Sequence, residues 1–166
     1  MPSTPNRIPF TKRDLLVVFK DGSTNEQEVY MESGNLSWTE GTPEPLYFLD
    51  RGSLEDGETR DGDDVPMDLS FDFALTDLPT SSYATIMGWC TRPTGSWEET
   101  NLVSSLGAGR DFRINVDVTF FGDKRGGVED VTLRFNHWKP RISGSEGDFL
   151  TISVSGSCKA IQPERL

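Results

Sequence analysis

The sequence predicts a mainly β domain: an antiparallel β-sandwich or barrel-forming sheet with one flanking α-helix and a long β-hairpin. Three observations carry this. Apolar residues alternate with polar ones over several stretches of five to eleven residues, which is the period of a strand with one wet face. Glycine (16) and proline (10) are frequent, so turns recur along the chain. Only one segment shows helical periodicity.

The elements follow in order. Leu15 to Phe19 is an apolar run ending at the turn pair Asp21-Gly22, and Glu26 to Glu32 follows with Val29 and Met31 on one face, predicting a hairpin. Leu36 to Trp38 and Pro45 to Leu49 are short aromatic-bearing segments. From Asp50 to Asp64 the chain is rich in Gly, Asp and Glu with a single leucine, and it reads as a long loop. The strongest alternation begins at Val65: Val65, Met67, Leu69, Phe71, Phe73 and Leu75 alternate with Pro66, Asp68, Ser70, Asp72 and Ala74. Tyr83, Ile86, Met87 and Cys90 then stand at i, i+3, i+4 and i+7, predicting a helix over Ser81 to Cys90 that stops before Arg92-Pro93. Alternation returns at Phe112, Ile114, Val116, Val118 and Phe120, at Val131, Leu133 and Phe135, and at Leu150, Ile152 and Val154. Gly122 to Gly127 supplies turn residues between the first two of these, so they should pair as a long hairpin with Lys124 and Arg125 near its tip. The expected core face is Val116, Val118, Leu133, Phe135, Ile152 and Val154.

A chain of 166 residues supports one such core. The expected division is a polar N-terminal arm (1–13), a single domain (14–160) that includes the acidic loop 50–64, and a short tail (161–166). No apolar run reaches the roughly 18 to 20 residues that cross a bilayer, and Met1 to Phe10 holds no apolar stretch resembling a signal peptide. A soluble compartment without membrane contact is therefore expected. Cys90 and Cys158 lack a C-x-x-C or histidine neighbour, so both are expected reduced and buried. The formal charge of −11 disfavours stable wrapping by nucleic acid. Most of the excess lies between Asp50 and Asp77, where ten carboxylates face Arg51 and Arg60, a local balance of −8.

Catalytic patterns are missing from this inventory. His137 is the sole histidine, placed just past a strand beside Trp138, and no G-x-S-x-G elbow accompanies it; a structural role is expected. Asp61-Gly62-Asp63-Asp64 could face a hard cation but lacks EF-hand spacing and its distal Glu, which leaves a solvated loop or one ordered by basic groups of a neighbouring subunit. Gly107-Ala108-Gly109 has no following Gly-Lys-Ser/Thr and reads as a turn. Glu98 and Glu99, adjacent in sequence, would point opposite ways on a strand, so a paired-carboxylate hydrolase has no geometric basis. Trp38, Trp89, Trp97 and Trp138 are the sole support for the alternative of a monomeric carbohydrate-binding module, and core or interface roles suit them better. No cofactor and no metal are expected.

The order long strand, single helix, long hairpin and serine-rich final strand resembles the tail tube proteins of long-tailed bacteriophages. The end of the chain, Trp138-Lys-Pro-Arg-Ile-Ser-Gly-Ser-Glu-Gly-Asp-Phe-Leu-Thr-Ile-Ser-Val-Ser-Gly-Ser-Cys158, is similar to their closing strands, in which a Gly-Asp turn leads into alternating Ser/Thr and aliphatic positions. The likeness covers residues 65 to 160 and is one of pattern. It implies a structural virion protein without enzyme activity, made in the host cytoplasm. Six copies would close into rings that stack into a tube, a conduit for DNA during ejection. The implied partners are the protein itself, the tape-measure and other tail proteins, and DNA in transit without specific binding. Under this reading Lys124, Arg125, Asp61, Asp63 and Asp64 are candidate subunit-interface residues. Asp68, Asp72, Asn115, Asp117, Thr132, Ser153 and Ser155 are candidates to face the lumen.

Overall fold

The structure is a computed structural model, and it describes residues 15–22, 26–29, 35–74, 89–90, 113–122, 130–146 and 150–166. Ten strands lie in these residues: β1 (Leu15–Lys20), β2 (Glu26–Val29), β3 (Ser37–Thr39), β4 (Pro45–Asp50), β5 (Ser53–Asp61), β6 (Asp68–Ala74), β7 (Ile114–Phe120), β8 (Val131–Glu146), β9 (Leu150–Ser157) and β10 (Glu164–Arg165). All pairings are antiparallel. Eight strands form one sheet in the order β2-β1-β7-β8-β9-β6-β3, with β10 beside β8, while β4 and β5 pair only with each other. The larger sheet is open among the described residues, with β2 and β3 at its ends, and does not close into a barrel within the chain.

Strand β8 holds this sheet together. Residues 131 to 138 pair with β7, and 139 to 146 pair with β9, so its first half belongs to one wing (β2, β1, β7, β10) and its second half to another (β9, β6, β3). Between them the register slips: Val116 faces Phe135, but Ile114 faces Trp138. Asn115 thus stands opposite two residues, Asn136 and His137, which is a β-bulge. His137 takes a left-handed backbone (φ 53°). Its N–H donates to Asn115 Oδ1 at 2.9 Å, and its carbonyl accepts from Arg113 Nη1 at 2.9 Å. His137 therefore lies inside a strand rather than just past one.

The wings fold over a shared aromatic core. Phe19 of β1 lies 5.9 Å from Phe71 of β6 and 5.9 Å from Trp138, which stacks on Phe71 at 5.5 Å. Trp38 of β3 meets Phe120 and Phe135 edge-on at 6.3 and 5.9 Å. The Trp138 indole N–H is shared between the carbonyls of Gly156 (3.1 Å) and Leu69 (3.3 Å), tying β8 to β9 and β6. A side chain at Gly156 would strike the Lys139 carbonyl, so only glycine fits that crossing. Five of the six residues of the expected core face are fully buried, and Leu133 packs partly buried against them.

The other expectations divide. The first hairpin appears as β1 and β2, and the long hairpin as β7 and β8, whose tip at 123–129 lies outside the described residues. The Val65 strand starts at Asp68; Val65 is exposed, although Met67 is buried. Of the predicted helix only Trp89 and Cys90 are described; both are buried with helical backbone, and 81–88 lie outside the described residues.

The acidic loop is the clear correction. Residues 53–61 form β5, which pairs with β4 from Pro45↔Asp61 to Asp50↔Ser53. Arg51 (φ 49°) and Gly52 (φ 82°) make a two-residue turn of the primed type, whose twist matches that of the strands. Charge content spoke for a loop, but Tyr47, Phe48 and Leu49 across the turn give the acidic strand a partner with high β-propensity. The tail residues Glu164 and Arg165 likewise pair with Arg134 and Leu133 of β8.

Phe135→Ala, removing a fully buried ring from the meeting point of both wings, should destabilise the fold by about 3–5 kcal/mol through lost burial and residual cavity. A denaturant midpoint equal to wild type would reject the assignment of this face to the core.

Candidate functional site

Three surfaces could carry function: the outward faces of the two wings and the separate hairpin. Alternation along β6, β8 and β9 turns apolar side chains inward and leaves polar ones outside. Pairing then sets them in rows across the second wing. Thr39, Asp68, Ser157 and Lys139 form one row; Ser37, Ser70, Ser155 and Arg141 a second; Asp72, Ser153 and Ser143 a third. Asn35 reaches this face, donating through Nδ2 to Asp72 Oδ2 and accepting from the Asp72 N–H at 3.3 Å. Ser37 and Ser70 hydroxyls meet at 2.8 Å. The result is a shallow, hydroxyl-lined depression of about 520 Å³, continued by one of about 350 Å³ that holds Lys139 and Arg141.

The first wing presents charge in alternation. Asp117 on β7 is nearly buried between Arg134 on β8 (2.7 Å) and Lys20 on β1 (3.2 Å), and Lys20 continues to Glu26 on β2 (2.9 Å). Arg134 grips both carboxylate oxygens of Asp117. Burial alone would push the Asp117 carboxyl up, but the hydrogen bonds and charges of Arg134 and then Lys20 outweigh it and hold the group below its ordinary value. Beside this stripe the Thr119 and Thr132 hydroxyls pair at 2.9 Å.

The candidate lumen residues thus separate into two groups. Asp68, Asp72, Ser153 and Ser155 share the face of the second wing, whereas Asn115, Asp117 and Thr132 lie on that of the first, each bonded to a neighbouring strand. Of the candidate interface residues, Asp61 closes β5 and Asp63 and Asp64 follow it, all exposed. Lys124 and Arg125 lie outside the described residues. Trp89 and Trp138 are in the core and Trp38 packs on Phe120 and Phe135, so these three tryptophans form no shared sugar-binding strip; Trp97 is outside the described residues. Both thiols are free and buried, and burial pushes Cys158 up to about 12 and Cys90 higher still, which keeps them protonated and unreactive.

The surface missed by sequence reasoning is the β4–β5 hairpin. Leu46, Tyr47, Phe48 and Leu49 are each at least half exposed, and because successive residues point to opposite faces, the hairpin is apolar on both sides. Four large apolar residues in a row ordinarily mark a strand buried on both faces. Here the cover is absent among the described residues, apart from Arg60, whose guanidinium stands 5.6 Å from the Phe48 ring.

No protein-family model matches the chain, and no curated protein sequence matches it. Solved structures do. A chain in the PVC sheath/tube terminator of an extracellular contractile injection system, in its extended state, superposes with a TM-score of 0.60 at 9% identity, covering 97% of this chain and 99% of that one. A chain in the cap that terminates the tube of the anti-feeding prophage gives 0.60 at 8% identity, over 99% and 97% of the two chains. One from the six-fold symmetrised baseplate of the same particle gives 0.60 at 13%, over 96% and 97%. The fold of this chain is therefore that of subunits found in tube-bearing injection particles.

Asp117→Asn should cost about 1–3 kcal/mol, as hydrogen bonds to charged groups are lost beneath Lys20 and Arg134. A carboxylate whose folded pKa is depressed stabilises the fold above its unfolded pKa and ceases to do so as pH falls through the folded one. The wild type should therefore lose this margin below about pH 4, and the two proteins should converge in acid. Parallel pH–stability curves would contradict the role given to Asp117.

Proposed function

We propose that this protein is a structural subunit that assembles with copies of itself into rings and stacked rings, forming the tube of a phage tail or related injection particle. The observation that carries the reading is the whole-length likeness of fold to chains of the PVC and anti-feeding prophage assemblies. Fold alone leaves function open, and the surface adds independent support. Two sheet edges left open among the described residues, and a hairpin apolar on both faces, are liabilities for a solitary molecule, and neighbouring copies would remove them.

In this reading the serine-rich face of the second wing lines the lumen. Hydroxyls with balanced charge, Asp68 and Asp72 against Lys139 and Arg141, would let a polyanion such as DNA slide past without capture. Tape-measure and other tail proteins are the remaining partners, catalysis has no part in it, and the particle leaves the cytoplasm in which its subunits are made. The exposed carboxylates Asp61, Asp63 and Asp64 offer a surface to Lys124 and Arg125 of a neighbouring copy, a contact that would steer assembly more than tighten it.

Negative-stain microscopy of the purified protein over a concentration series should show rings or tubes. A monodisperse 18.5 kDa particle at every concentration would contradict the proposal. Replacing Lys124 and Arg125 together by Glu should leave the circular dichroism of the fold intact while slowing assembly at low salt, and added salt should weaken wild-type assembly in the same direction. Normal assembly by the double variant would remove the steering contact.

A further inference from the structure

We infer that the β4–β5 hairpin of one copy docks into an apolar groove at the root of the hairpin of a second copy, a head-to-tail contact that rests on the self-assembly proposed above. The groove has a volume of about 610 Å³. Pro66, Ala160 and Ile161 supply its apolar walls over the buried Cys158, and Asp64 and Lys159 also line it. Exposed Val65 adjoins it in sequence. The hairpin offers the matching chemistry, with Leu46 and Phe48 on one face and Tyr47 and Leu49 on the other.

The hairpin cannot fill its own groove. Asp64 and Pro66 follow β5 directly, so the groove lies where the hairpin leaves the domain. Phe48 pairs with Glu58, up the strand from Asp61, and Leu49 lies beyond it, so these side chains sit about 10 Å or more from that root at about 3.3 Å per residue. A second copy is the occupant that satisfies both surfaces at once, each copy giving one hairpin and receiving another. Charge decides between this and hairpin meeting hairpin. Residues 45–61 carry five carboxylates and two arginines, a net of −3, so a symmetric pairing would bring like charge together. The groove, with one Asp and one Lys, is neutral. Contacts that join two different patches propagate into rings or filaments instead of stopping at dimers.

Directionality makes the contact testable by mixing. Phe48→Glu spoils the exposed hairpin and leaves the groove; Ile161→Glu spoils the groove and leaves the hairpin. Pro66→Glu, at an exposed position, serves as a second groove variant should half-buried Ile161 not tolerate the charge. Each variant alone, shown folded by circular dichroism, should be monomeric by light scattering at concentrations where wild type assembles. Mixed one to one, a hairpin variant and a groove variant retain one good contact and should form a heterodimer of twice the 18.5 kDa monomer mass. Homodimers from the groove variants alone would show hairpin-to-hairpin pairing and overturn the inference. Wild-type-like assembly by both kinds of variant would assign the hairpin to another occupant and overturn it while leaving self-assembly standing. A wild type that stays monomeric throughout would remove self-assembly itself, and the docking with it.

Discussion

Strand β8 supplies the apolar face of both wings, and it can do so because one extra residue is inserted at Asn136–His137. Without it, alternation from Leu133 and Phe135 would continue to His137 and Lys139, turning Lys139 and Arg141 into the core and Trp138 out of it. The bulge shifts the phase once, so Trp138, Pro140 and Ile142 follow on the apolar side and the two cations face solvent. A left-handed histidine costs on the order of 1–2 kcal/mol. Two hydrogen bonds, from the His137 N–H to Asn115 and from Arg113 to the His137 carbonyl, offset much of it. Trp138, just beyond, then bonds carbonyls of β6 and β9 and stacks on Phe71. The aromatic core between the wings depends on this one change of phase.

Much of this was legible in the sequence, and the failures have physical causes. Period-two alternation located β6, β7, β9 and the first half of β8 because each has one apolar face. The bulge left a trace: apolar residues stand at odd positions through Phe135 and at even positions from Trp138, a parity switch that read as the end of a strand. Asp117 sits on the polar face as alternation requires, yet its near burial between Arg134 and Lys20 depends on pairing across three strands, which no local pattern encodes. The hairpin β4–β5 was hidden by charge. Glu55, Asp56, Glu58 and Asp61 suggested a loop, and Pro45 to Leu49 read only as a short aromatic-bearing segment, whereas the two pair as an exposed ribbon. Composition reports what a segment would prefer in isolation; a partner strand elsewhere in the chain can reverse that preference.

That reversal is where structure and function meet. A two-stranded ribbon with both faces apolar holds little stability of its own in water. Its exposed apolar residues are those the proposed self-assembly would cover. The wings, by contrast, bury most of their rings between them, and a chain of ion pairs from Glu26 through Lys20 and Asp117 to Arg134 crosses the first wing. In the proposed assembly the two wings supply the packed core and the ribbon supplies the contact with a neighbour.

Amide hydrogen exchange, followed residue by residue in dilute and in assembled protein, tests this division most directly. The account predicts fast exchange throughout β4 and β5 in the dilute subunit and protection of both strands on assembly, with Val116, Val118 and Phe135 protected in either state. Protection of the ribbon that is the same in both states would contradict the claim that its partner is another molecule.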